Sequence, residues 1–305
     1  MRALTCYIAA GLIAVAVLPS ARAASLAYGE AFDTLYRIEL PAHTASEVGV
    51  AGRYGGQTIA GISGLSTMPD GSLFAVASSL KALVRIDAGS GVATPIGLLG
   101  IGGGSGQYDA LDLGMTATCT GALYLTSGVL HTLYSVDPAT GAATRIGDTG
   151  VAISGLAERG GELFGAGSKG DHALYRINPR TGAASRIGEF GAEATRWINS
   201  VALGFGNDGT LWAVLNYVPP QNDSMPLADW SDLATIDPNS GRLHRVGALT
   251  GPESLRKVGM KGFTAGPAPC TGPLGTPNTA PVDAPWALIA LALGLIAFAA
   301  RRQRA

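Results

Sequence analysis

Charge is scarce in this chain: 14% of its 305 residues are Asp, Glu, Lys or Arg, with 21 basic against 22 acidic. That balance excludes a strongly basic nucleic-acid binder, and with 47% apolar residues it excludes a disordered chain. Histidine occurs four times and cysteine three times, with no C-x-x-C pair, so the usual zinc and redox spacings are missing. No G-x-S-x-G, H-E-x-x-H or P-loop motif occurs either. Hence no catalytic residue and no cofactor is assigned from motifs. What is abundant is glycine, at 44 positions, which points to many turns.

The glycines fall in a repeat. Five segments share one pattern: Leu35–Glu39, Leu83–Asp87, Leu133–Asp137, Leu174–Asn178 and Leu233–Asp237. Four of them lead through a turn into a short strand that ends at Gly97, Gly147, Gly188 or Gly247, and the first ends at Gly49. Earlier halves of the unit read strand, tight turn, strand, as in Ile62–Leu65, Pro69-Asp70-Gly71 and Leu73–Val76. Asp-Gly and Gly-Gly between alternating apolar runs are hairpin signals. Four antiparallel strands per unit make a β-propeller blade. Four complete units are present, and the N-terminal part holds only later strands. The strand Val258–Phe263 supplies the missing one. The fold expected is all-β, a five-bladed β-propeller over residues 24–266 closed by pairing of its N- and C-terminal strands. Another all-β solenoid is the competing architecture.

The stretches Leu133–Gly141 and Leu174–Gly182 resemble repeats of exported bacterial β-propellers. Read physically, Tyr134 with Val136, and Tyr175 with Ile177, share a strand face and are expected to pack on the next blade. Asp137 and Asn178 open turns with side-chain bonds to backbone N–H groups, and Gly141 and Gly182 take left-handed positions. Quinone-cofactor dehydrogenases also carry Asp-x-x-Thr-Gly, but the docking tryptophan that follows it there is missing around Arg145 and Arg186.

Both ends carry targeting features. Arg2, the apolar run Tyr7–Leu18 and the site Ala21-Arg22-Ala23 form a signal peptide over residues 1–23, with an uncleaved anchor as the alternative. Residues 267–285 form a Pro-, Gly- and Thr-rich linker. Residues 286–305 form a C-terminal apolar helix with an Arg cluster. Its uncharged run Trp286–Ala300 covers about 22 Å, short of the roughly 30 Å bilayer core, and Arg301, Arg302 and Arg304 place the C-terminus in the cytoplasm. This tail resembles the PEP-CTERM and IPTL-CTERM signals cut by exosortase- or archaeosortase-like proteases, with Pro281 through Pro285 and Trp286 standing where the Pro-Glu-Pro motif would be. A plain transmembrane anchor is the alternative. The resemblance implies an exported protein at the cell envelope, the cell surface or outside the cell, and a sorting protease as partner. Residues 24–280 carry 16 of the 21 basic and 21 of the 22 acidic residues, so nucleic acid is excluded as a partner. In an oxidising compartment, Cys119 and Cys270 are either bridged or both free; their separation alone does not decide.

In a blade, the first-to-second and third-to-fourth turns lie on one side, and the second-to-third loops and blade links on the other. Here the long segments all fall on the second side, where binding is expected. Candidate ligand contacts there are Arg53, Tyr54, Tyr108, Asp109, Arg196, Trp197, Asn199, Tyr217, Asp223, Asp229, Trp230 and Glu253, joined by Gln57, Asn222 and Arg256. Aromatic, Arg and amide groups suit a glycan or protein ligand. The expected function is a non-catalytic binding or scaffold module. The alternative is a secreted carbohydrate-active enzyme using carboxylates of that side. His131 and His172 fall in loops of successive blades but have no third metal ligand.

Overall fold

The structure is a computed structural model that describes residues 26–40, 42–102, 111–168, 170–194, 198–217, 230–255, 258–268 and 270. The expected signal peptide and apolar C-terminal helix lie outside these residues. Among the described residues no helix is long and apolar enough to cross a membrane.

Blade I begins with β1 (Leu26–Ala31), β2 (Thr34–Glu39) and β3 (Thr44–Val50). A ribbon of β4 (Arg53–Tyr54) and β5 (Gln57–Thr58) leads to blade II: β6 (Ile62–Thr67), β7 (Leu73–Ala77), β8 (Ala82–Ile86) and β9 (Ala93–Leu98). Blade III holds β10 (Leu113–Ala117), β11 (Leu123–Ser127), β12 (Thr132–Val136) and β13 (Ala143–Asp148). Blade IV holds β14 (Ile153–Arg159), β15 (Glu162–Gly167), β16 (Ala173–Ile177) and β17 (Ala184–Glu189). Blade V holds β18 (Ile198–Phe205), β19 (Leu211–Tyr217), β20 (Ser231–Ile236) and β21 (Leu243–Ala248). Last, β22 (Gly262–Thr264) pairs antiparallel with β1 and completes blade I. Five four-stranded sheets therefore close a ring, as the repeat predicts. The closing strand is shorter than expected. Pairing starts at Gly262, not Val258, because Met260 turns its N–H to Ser231 Oγ at 2.8 Å and buries its side chain against blade V.

The turns form as the residues dictate. Asp137 Oδ1 accepts the Ala139 N–H at 2.8 Å, Asn178 Oδ1 accepts that of Arg180 at 2.9 Å, and Gly141 and Gly182 have φ of 77° and 80°. The equivalent carboxylates of Asp87, Asp137 and Asp237 sit below the usual range because hydroxyl and backbone N–H donors hold their charged form. Outer-strand glycines have a second cause. A Cβ on Gly97 or Gly147 would collide with the Thr140 or Thr181 carbonyl in the next blade's turn. At the closing junction that turn position belongs to His43, φ 47°, whose Nδ1–H donates to the Ala248 carbonyl at 2.7 Å.

Five apolar clusters each fill the gap between two neighbouring blades. One expectation is corrected here. Tyr134 and Val136 pack on Phe74, Val76 and Leu83 of the preceding blade, and Tyr175 and Ile177 pack on Leu133, also of the preceding blade. Alternation correctly groups Tyr134 with Val136, but the twist of the stacked sheets decides which neighbour that face meets.

The chain stays attached beyond the closing strand. Thr67 bridges Pro267, and Cys270 forms a disulfide with Cys119 in the β10–β11 turn. Leu26 pairs with Glu39 next to the β2–β3 turn, so both Leu26 and Cys270 lie on the side of the tight turns.

Candidate functional site on the loop-rich side

The side opposite the tight turns carries the ribbon β4–β5, the second-to-third loops and the blade links. Its framework is repeated backbone bonding: the carbonyls of Asp33, Lys81, His131, His172 and Ser231 accept the N–H groups of Ala51, Leu99, Thr149, Phe190 and Leu249, tying each loop to the following link. His131 and His172 thus serve this framework through their main chains.

Of the expected contacts, Arg53 and Tyr54 lie on the exposed ribbon. Arg53 donates to Gly56 O and to Thr58 Oγ1, which holds the ribbon's tight turn. Tyr54 projects with 59% of its surface exposed. Gln57 Nε2 donates to the Ser79 carbonyl at 3.3 Å and ties the ribbon to blade II. Asn199 occupies a bulge in β18, where the register shifts between Ile198 and Ser200, and is half-buried near the axis. Glu253 is exposed in a single 3-10 turn (Glu253–Leu255) of the last link. Tyr108, Asp109, Arg196, Trp197, Asn222, Asp223, Asp229 and Arg256 lie outside the described residues.

Tyr217, also among the expected contacts, has a structural partner. It is buried, and its hydroxyl donates to Asp232 Oδ2 at 2.6 Å. Arg245 grips the same carboxylate with two nitrogens, Nε on Oδ2 and Nη2 on Oδ1 at 3.0 Å. The pair raises the Arg245 pKa, chiefly through that bond to Asp232. Ala234 stands opposite Arg245 where the equivalent residues in blades III and IV are Tyr134 and Tyr175, and the small side chain lets the guanidinium reach Asp232. Tyr217 N–H also bonds the carbonyl of Trp230, which is half-buried, so this cluster fixes both ends of the 218–229 connection. Tyr217 thus braces this side of the propeller from beneath its surface.

Sequence reasoning missed two further features. Apolar side chains project on this side: Phe32 and Val129 from second-to-third loops, and Val50 and Leu98 from the loop-side ends of β3 and β9, Leu98 with 70% exposure. Phe32 is also held at φ 62°, uncommon for a bulky side chain, one residue earlier in its loop than the positive-φ Lys81 and His131 in theirs. The other feature is Glu30 in β1, fully buried between blades I and II, with neither carboxyl oxygen hydrogen-bonded among the described residues. Burial, assisted by the nearby charge of Asp33, pushes its pKa well above the usual carboxylate range. The folded chain therefore keeps a proton at Glu30 that the unfolded chain loses near its ordinary value, about 4.3. Stability from this group falls as pH rises through the unfolded value toward the folded one, by up to about 1.4 kcal/mol per pH unit in that window. Glu30→Gln is expected to remove this slope and to stabilise the protein at pH 8. Urea unfolding of both forms from pH 4 to 9 checks it, and parallel stability curves would refute it.

These sheets and loops define the class, a five-bladed β-propeller protein built from blade repeats. A family model described as "Repeat of unknown function (DUF6923)" matches residues 66–217, about half the chain. Nothing among the curated proteins matches. Similar solved structures include hydrazine synthase of Kuenenia stuttgartiensis, 21% identical over 60% of this chain and 47% of that one, TM-score 0.38. A Bacteroides thetaiotaomicron protein of unknown function is 14% identical over 62% and 53%, TM-score 0.45. Virginiamycin B lyase of Staphylococcus aureus is 14% identical over 61% and 69%, TM-score 0.35. The chain spans about half the length of the first two.

Proposed function

We propose that this is an exported, non-catalytic propeller that binds a glycan or protein ligand through its loop-rich side and is held at the cell envelope by its C-terminal tail. The observation that supports it is the distribution of exposed apolar side chains. Of seven large exposed ones among the described residues, Phe32, Val50, Tyr54, Leu98 and Val129 lie on the loop-rich side, with Leu26 and Val92 elsewhere. Exposed apolar groups gathered on one side mark a contact surface. The placement of Cys270 supports the tail's part. A tail that leaves from the tight-turn side and enters a membrane turns the loop-rich side outward.

The test incubates the purified protein with arrayed glycans and peptides and reads both binding and product. Binding without product, weakened at least tenfold by Tyr54→Ala with Leu98→Ser and unchanged by Val92→Ser, is expected. Turnover abolished by Asp223→Asn, Asp229→Asn or Glu253→Gln would establish the carbohydrate-active enzyme instead. In the same preparation, replacing Arg301, Arg302 and Arg304 by Ala is expected to change mass and membrane retention; identical fractionation would remove the tail from the proposal.

A further inference from the structure

Beyond β22 the chain is fastened to blades other than its own. Thr264 Oγ1 receives the Thr67 N–H of blade II at 3.2 Å and lies 3.0 Å from Thr67 Oγ1, and Pro267 bridges Thr67 as well. A Cβ on Gly204 of blade V would stand 2.8 Å from the Ala265 nitrogen. Gly266 and Ala268 line one small cavity with Thr116 of blade III and Glu158 of blade IV. Cys270 then joins Cys119 of blade III through the disulfide. The turn that receives it is itself held: Thr118 N–H bonds the Ala122 carbonyl at 2.7 Å, and the Glu158 carboxyl takes the N–H groups of Gly161 and Cys119.

These attachments decide where a pull on the chain beyond Cys270 is carried. β22 pairs Gly262 with Glu30 and Thr264 with Tyr28, so it runs toward the tight-turn side, where Leu26 begins β1 and Cys270 lies. A pull from there shears β22 along β1, against a ladder of three residues. Forced unfolding is governed by the unfolding rate, and so short a ladder gives early. The disulfide offers another path. Load entering at Cys270 crosses two sulfur atoms into the turn between β10 and β11, which pair over five residues, and β11 pairs over five more with β12. β22 and the residues after it lie inside the covalent loop, off that path.

We propose that the Cys119–Cys270 bond is a tension clamp, which passes a pull on the C-terminal tail into blade III and spares the closing strand. A ligand held on the loop-rich side and a tail held in a membrane would load the propeller in this direction. The inference rests on the reading of the tail as a tether, but its test needs no membrane, so failure of the tail reading in fractionation and failure of the clamp are separate results. The full-length protein in detergent is stretched in an optical trap between its C-terminus and a clickable phenylalanine analogue in place of Tyr54. Full extension reports the bond in each molecule: about 220 Å of chain from Tyr54 to Cys119 when it is intact, and about 730 Å from Tyr54 to Cys270 when it is reduced. Reduced molecules are expected to give an early step of about 30–70 Å, the extended length from Cys270 back to Met260 or to Thr250. Oxidised molecules are expected to lose that step and to yield first at higher force. Thr67→Val weakens the Thr67–Thr264 contact and is expected to lower the first yield force of reduced molecules only. The early step in oxidised molecules, its absence from reduced ones, or equal first yield forces in the two states would overturn the proposal. So would an equal effect of Thr67→Val in both states. The Cys119→Ser/Cys270→Ser double variant is expected to behave as the reduced protein; should it fail to fold, reduction of the wild type makes the same comparison.

Discussion

Reducing the Cys119–Cys270 bond is expected to lower the melting temperature by about 10 °C. The two cysteines are 151 residues apart, so the cross-link encloses half the chain. Loop-closure entropy for a loop of that length amounts to about 5 kcal/mol, and measured disulfides deliver about 2–4 kcal/mol of such an amount. The geometry of closure makes a value near the upper end reasonable. The ring is shut by β22, which pairs only Gly262, Phe263 and Thr264 with β1. Once the covalent tie is cut, that short strand is held by its own ladder, the Thr67–Thr264 bonds and the Pro267 bridge. Thermal melting with and without reductant, beside the Cys119→Ser/Cys270→Ser double variant, provides the measurement. Equal melting of the oxidised and reduced wild type would show that the disulfide contributes nothing to closure.

Asp232→Ala is expected to cost about 2–4 kcal/mol. Asp232 has no exposed surface and accepts from both Tyr217 and Arg245. Its removal takes the charged acceptor from the buried Tyr217 hydroxyl, while Arg245, whose side chain is 37% exposed, recovers part of its loss in water. Arg245→Met is expected to cost at least as much, because it leaves the buried carboxylate with Tyr217 alone. Asp232→Asn, which still accepts the Tyr217 bond, is expected to fall between wild type and Asp232→Ala. Urea unfolding of the three variants ranks them. A loss below about 1 kcal/mol for Asp232→Ala would mean the cluster is a surface pair of little weight.

These two clusters show where sequence reasoning stops. The Asp-Pro-x-Thr-Gly turns were legible because each contact in them is local: an Asx side chain two or three residues from its donor and a glycine at positive φ. Tyr217 looked like a surface aromatic because it precedes a long polar connection. Its true partner, Asp232, lies across a strand pair, and the grip of Arg245 depends on the small Ala234 opposite it. Exposure of Leu98 and burial of Glu30 were illegible for a related reason. Both sit in ordinary alternating strands, and only the packing of the next blade decides whether such a position meets water or apolar side chains.

By itself the chain's pattern determined the repeating unit, the number of blades, the tight turns and the closure of the ring by its two ends. Those features follow from periods and turn chemistry, which act over a few residues and repeat. Tertiary structure alone decided that Tyr134 faces the preceding blade, that Cys119 and Cys270 meet, and that Gly266 and Ala268 line one cavity with Glu158. Each of these joins residues far apart in the chain, through sheet twist and ring closure. Local propensities carry no information about such distances.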